Sequence, residues 1–61
     1  MSGYILKNSV NRVYAPYGGE LFSNVMDNAE IFPNEAHAVF KAIEIKEKHP
    51  DIKYIQIIPV V

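Results

Sequence analysis

Residues 33–50, Pro33-Asn34-Glu35-Ala36-His37-Ala38-Val39-Phe40-Lys41-Ala42-Ile43-Glu44-Ile45-Lys46-Glu47-Lys48-His49-Pro50, read as one helix with a marked start and a marked stop. Asn34 is placed to cap the first turn, because its side-chain oxygen can accept from an otherwise unpaired backbone N–H. Glu35 favours the positive end of the helix dipole, and Lys46, Lys48 and His49 gather at the negative end. Pro50 blocks continuation. Glu44 precedes Lys48 by one turn, the better orientation for a supporting ion pair. On a helical wheel Ala36, Val39, Phe40 and Ile43 cluster within about a quarter-turn of one direction, and this face is assigned to a sheet. Ala38, Ala42 and Ile45 form a second apolar strip that a lone surface helix does not need. His37, Lys41, Glu44 and Lys48 lie between the two.

Working outward, the flanking chain has strand character. Residues 4–7 are β-prone, Asn8-Ser9 is turn-like, and residues 12–15 resume the strand pattern up to Pro16, so the two runs can pair as a hairpin. Tyr17-Gly18-Gly19-Glu20 reads as a loop. Residues 21–28 read as a compact connection held to the core by Leu21, Phe22, Val25 and Met26, with Ser23 able to cap a single helical turn. Residues 29–32 read as a short third strand. Residues 54–61 are the most β-like part, with Ile55 and Ile57 pointing one way and Tyr54, Gln56 and Ile58 the other. Pro59 cannot donate to a ladder, which predicts an open edge near it.

These elements predict a single α+β domain over residues 1–61, with a three- or four-stranded antiparallel or mixed sheet and one helix on one face. One order consistent with the chain is a meander of three strands, a right-handed helical crossover, and strand four beside strand one at an edge. The helix should dock Val39, Phe40 and Ile43 on Ile55 and Ile57.

Composition narrows the function. The chain has 61 residues, no cysteine and a formal charge of −1. A domain of this size hides only about 60% of the surface its unfolded form exposes, so its core is thin. Small domains compensate with disulfides, metal or a partner, and the lack of cysteine removes the first together with thiolate metal sites. It also suits a reducing cytoplasmic setting. No signal-like segment opens the sequence, and no apolar run approaches the roughly 20 residues needed to span a bilayer. Mixed charges without a basic stripe argue against general attraction to nucleic acid.

Catalytic constellations are weak. His37 and His49 are about 18 Å apart along the helix and cannot share one ion within a subunit, so solvent-facing roles are expected. Ser2, Ser9 and Ser23 lie in no nucleophile elbow and suit turns and caps. Asp27 and Glu30 have no apolar pocket in view to raise a pKa. Gly18-Gly19 lacks the lysine and following helix of a phosphate loop. No enzyme activity, cofactor or metal site is therefore expected. Tyr4, Tyr14, Tyr17 and Tyr54 allow cross-strand packing, a protein-contact surface, or stacking of single-stranded bases.

The layout of Tyr4-Ile5-Leu6-Lys7-Asn8, Ala29-Glu30-Ile31-Phe32, the helix opening at Glu35-Ala36, and Ile57-Ile58-Pro59-Val60 resembles short proteins encoded by bacteriophages and prophages. That resemblance implies a strand–strand–helix–strand plan and a protein that binds and disables a host protein, including components of antiviral defence, in the host cytoplasm. It assigns no individual residue. The expectation is a non-enzymatic interaction protein that self-associates as a homodimer or binds a larger host protein. Its contact residues are expected on an uncovered sheet face (Tyr4, Tyr14, Tyr54, Ile58) or on the strip Ala38, Ala42 and Ile45. Single-stranded nucleic-acid binding through the sheet tyrosines is the alternative.

Overall fold

The computed structural model describes residues 2–16 and 21–60; the loop expected at Tyr17-Gly18-Gly19-Glu20 lies outside them. Strands β1 (Gly3–Asn8), β2 (Val13–Tyr14) and β3 (Phe22–Ser23) precede a 3-10 turn at Met26–Asn28, helix α1 (Glu35–Lys48) and strand β4 (Ile55–Val60). The four strands form one antiparallel sheet in the order β3-β2-β1-β4, and α1 packs on one face of it. Among the described residues no helix is long and apolar enough to cross a membrane.

The hairpin between β1 and β2 is organised by Asn8. Its Oδ1 accepts from the N–H groups of Val10 at 3.1 Å and Arg12 at 2.9 Å, while its own N–H donates to the Arg12 carbonyl. Asn11 closes the turn with φ of 64°, a left-handed conformation that asparagine tolerates better than most residues. The helix begins as its sequence predicts: Asn34 Oδ1 accepts from His37 N–H at 3.0 Å. At the other end the His49 N–H donates to the Ile45 carbonyl before Pro50 intervenes.

The third strand is not at residues 29–32. It lies at Phe22–Ser23, inside the stretch expected to be a connection, where Tyr14 pairs with Phe22 and Val13 with Ser23. Phe22 and Leu21 do reach the core, but Val25 and Met26 are exposed. Ser23 Oγ accepts from Val25 N–H at 3.0 Å and bends the chain out of β3, rather than capping the 3-10 turn that follows. Residues 30–32 then act as a strap. Phe32 exchanges both backbone hydrogen bonds with Tyr4 of β1, and the Glu30 N–H donates to the Tyr14 carbonyl of β2. One segment thereby satisfies backbone groups on two strands that have parted beyond Lys7 and Val13, without joining a regular ladder.

The helix is seated the other way round from the wheel assignment. Ala38, Ala42 and Ile45 are buried and cluster with Leu6, Tyr14, Phe22 and Phe32, while Val39, Phe40 and Ile43 face outward. The strip Ala38, Ala42 and Ile45 is therefore core, not a contact surface. Size decides this. The sheet and strap already fill the interior with large side chains, so close packing favours a helix face whose own residues are small. Ile55 and Ile57 pack against this cluster as expected, but opposite a different helix face.

The reverse face of the sheet is also partly covered, although a single helix was expected to leave it bare. Ile5 and Val13 are buried there, and Ile31 crosses over the start of β1. Gly3 permits that crossing. A Cβ at this position would collide with Ile31 Cγ2 and lie 2.8 Å from the Phe32 carbonyl oxygen.

Gly3→Ala is expected to cost about 1–3 kcal/mol in urea unfolding, because the strap backbone must shift. Ala42→Glu buries an unpaired charge and is expected to cost more than about 3 kcal/mol, whereas Phe40→Glu changes stability by less than about 1 kcal/mol. The reverse ranking would restore the wheel-based seating of α1.

Candidate interaction surface

The outward face of α1 holds its larger apolar side chains. Phe40 is 72% exposed, Ile43 50% and Val39 37%, with Ala36 exposed one turn earlier. The buried face of the same helix consists of two alanines and one isoleucine. Helix amphipathicity normally runs the other way, with bulk inside and polarity outside. Here polar groups flank the apolar face on both sides, Lys41, Glu44 and Lys48 on one and Glu35 and Lys46 on the other, and Glu47 follows Ile43 on the outward face itself. Glu44 accepts from Lys41 at 3.2 Å and from Lys48 at 3.0 Å. The Lys48 and Lys41 hydrogen bonds hold the Glu44 carboxyl below its ordinary range, and the bond to Glu44 holds the Lys41 ammonium above its own. All three groups are solvated enough that the cluster supports the helix without forming a reactive centre.

The reverse face of the sheet carries an open groove of about 370 Å³ between strap and strands. Ile5, Ile58 and Val60 form its floor, Met26, Ala29 and Ile31 its wall, and Asp27 is the ionisable residue lining it. A second open groove of about 320 Å³ lies between Asn8-Ser9 and residues 51–54. Ser9, Asp51 and Lys53 line the second, and no hydrogen bond or ion pair joins them into a nucleophile–base arrangement. Among the described residues no three His, Cys, Asp or Glu side chains approach closely enough to hold a metal ion, and no polar or charged side chain is buried.

The residues expected to form one contact surface are dispersed. Tyr14 is buried on the helix side, with its ring 6.0 Å from Phe22 edge-on and 6.3 Å from Phe32 in a stacked arrangement. Tyr4, half-buried, packs on the same cluster. Ile58 lies on the reverse face and lines the apolar groove. Tyr54 is 53% exposed just before β4. Tyr14, closed off from solvent, cannot stack a base. Val39, Phe40 and Ile43, which are exposed on α1, were expected in the interior. Their signal was present as the second strip, since two apolar faces on one helix mean that one of them lacks an internal partner.

Comparison with protein-family models, with curated proteins and with solved structures gives no significant match.

The Glu44 cluster predicts a sign for pH dependence. A carboxyl whose folded pKa is depressed contributes stability above its unfolded pKa and loses that contribution as pH falls through the folded value. Glu44→Gln should lower the melting temperature slightly at pH 7, and in thermal melts the gap to wild type should close as pH falls through the depressed folded pKa of Glu44. A gap that widened with acid would contradict the Lys41–Glu44–Lys48 arrangement.

Proposed function

We propose that this chain is a non-enzymatic protein-interaction module that docks a partner protein through the outer face of α1. The carrying observation is the exposure of Val39, Phe40 and Ile43 on a helix whose inner face is mostly alanine. Exposed apolar bulk on a chain with so small a core has no stabilising use in the isolated molecule, and contiguous patches of this kind mark interaction sites. Ala36, Val39/Phe40 and Ile43 follow the i, i+3/i+4, i+7 spacing with which an amphipathic helix enters an apolar groove on another protein. Phe40 is the anchor, because a large aromatic at the centre of a patch concentrates binding energy. The Lys41–Glu44–Lys48 flank supplies a polar rim. The resemblance to short phage proteins makes a cytoplasmic host protein, antiviral-defence components among them, the first class of partner to try. On this reading the chain acts by occupying the partner's groove, and no chemistry is transferred.

The test is capture from a host-cell lysate with wild-type and Phe40→Glu chains, followed by affinity measurement on the purified partner. Phe40→Glu and Ile43→Glu should each weaken binding by about 2 kcal/mol or more, roughly thirtyfold, while circular dichroism stays unchanged. A partner held equally well by both variants would rule out the helix surface.

A further inference from the structure

The sheet ends on one side in a strand with open hydrogen-bonding groups. Tyr4 spends its backbone N–H and C=O on Phe32, and the Asn8 N–H goes to Arg12, so these residues face away from β4. In an antiparallel ladder the alternate residues, Ile5 and Lys7, then exchange bonds with their partners Ile58 and Gln56. It follows that Ile55, Ile57 and Pro59 direct their backbone groups to the outside. Among the described residues β4 has no neighbour there.

Natural sheets blunt such edges with short strands, lysines, bulges or proline. The opposite edge, β3, is blunted by its length of two residues. β4 is six residues long, with the sequence Ile-Gln-Ile-Ile-Pro-Val and no charge. Its one safeguard is Pro59, which carries no N–H at a position where that group would point outward. Pro59 protects one end and leaves Ile55 and Ile57 open.

We propose that β4 pairs edge to edge with β4 of a second copy, antiparallel and centred on Gln56, joining the two four-stranded sheets into one. The donor pattern selects both occupant and register. Centred on Gln56, each Ile55 lies opposite Ile57 of the other copy, and the two exchange both bonds, so every outward group of these residues is used. Pro59 then falls opposite Lys53, beyond the paired centre, where its missing N–H is not required. A centre at Ile57 would set Pro59 against Ile55 and leave the Ile55 carbonyl without a donor. Side chains agree with the first register. Ile55 and Ile57 of the two copies meet on the helix side and extend the core. Tyr54, exposed in one copy, comes beside Ile58 of the other at the mouth of the reverse-face groove. The chain's formal charge of −1 sets up little repulsion between copies. Such a symmetric contact is self-complementary by construction. It also supplies the subunit partner that a cysteine-free domain of this size lacks. The pairing rests on the sheet edge alone and is independent of the helix face.

Register gives the test. The twofold axis sets Gln56 against itself, and Gln56 is exposed, so a charge there leaves the core intact. Sedimentation over a concentration series should show a wild-type dimer. Gln56→Lys should weaken self-association about threefold or more, because like charges directly opposite repel and Lys7 flanks each one. An equimolar mixture of Gln56→Lys and Gln56→Glu should recover a dimer, which native mass spectrometry reads as mixed. The Ile57 amide should exchange slowly with deuterium in wild type and quickly in Gln56→Lys. Should Gln56→Lys fail to fold by circular dichroism, a synthetic chain N-methylated at Ile57 removes the outward donor and keeps the side chain. A wild type that stays monomeric up to about 1 mM overturns the proposal, as does a Gln56→Lys chain that dimerises like wild type. Loss of the dimer in Phe40→Glu but not in Gln56→Lys would move self-association to the helix and overturn the edge pairing, while leaving the helix surface as a contact site.

Discussion

The close seat of α1 on the sheet, made by Ala38 and Ala42 over a cluster of large side chains, is the constraint from which the rest of this structure follows. Leu6, Tyr14, Phe22 and Phe32 supply the volume, and the helix supplies small residues and Ile45. Interiors pack at the density of organic crystals, so bulk on one layer must meet small groups on the other. With the interior filled from the sheet side, the helix has no room inside for Phe40. The apolar bulk that the helix carries is consequently on the outside. Its exposure is a product of how the core is filled.

The strap answers a second constraint. Strands β1 and β2 separate beyond the hairpin, which leaves backbone groups of Tyr4 and Tyr14 facing a gap. Buried groups of this kind must be paired. Phe32 and Glu30 pair them, and Phe32 adds its ring to the core in the same step. The approach of Ile31 that accompanies this is feasible because residue 3 has no side chain. The strap also roofs part of the reverse face, so the apolar groove beside Ile58 and Val60 arises from the same local solution.

Among the described residues, two surface features differ in chemical kind. The helix offers apolar side chains that suit a groove on another protein. The β4 edge offers backbone donors and acceptors that suit a strand. One kind rewards shape and apolarity, the other rewards register, so on the proposed readings they answer to different partners. A molecule can use both without competition, because an edge-paired copy does not need the Val39, Phe40 and Ile43 side chains.

Local structure is largely legible in the sequence. Asn34 and Pro50 bounded the helix, Asn8 marked the hairpin, and Pro59 marked the open edge, because caps, turns and missing donors act through neighbours a few residues away. The strap was misread as a strand because residues 29–32 have strand composition, yet their partners sit on two diverging strands. The expected contact surface failed for a related reason. Tyr4 and Tyr14 obey the alternation that assigns them to a common face, but alternation alone does not say which face the helix covers. The sequence by itself determined the α+β class and the helix limits, while the strand order was settled by the tertiary structure. Only the tertiary structure decided which apolar face of α1 turns inward. A helical wheel records direction and polarity, whereas that choice depends on the volumes of Leu6, Phe22 and Phe32, brought opposite the helix from distant parts of the chain.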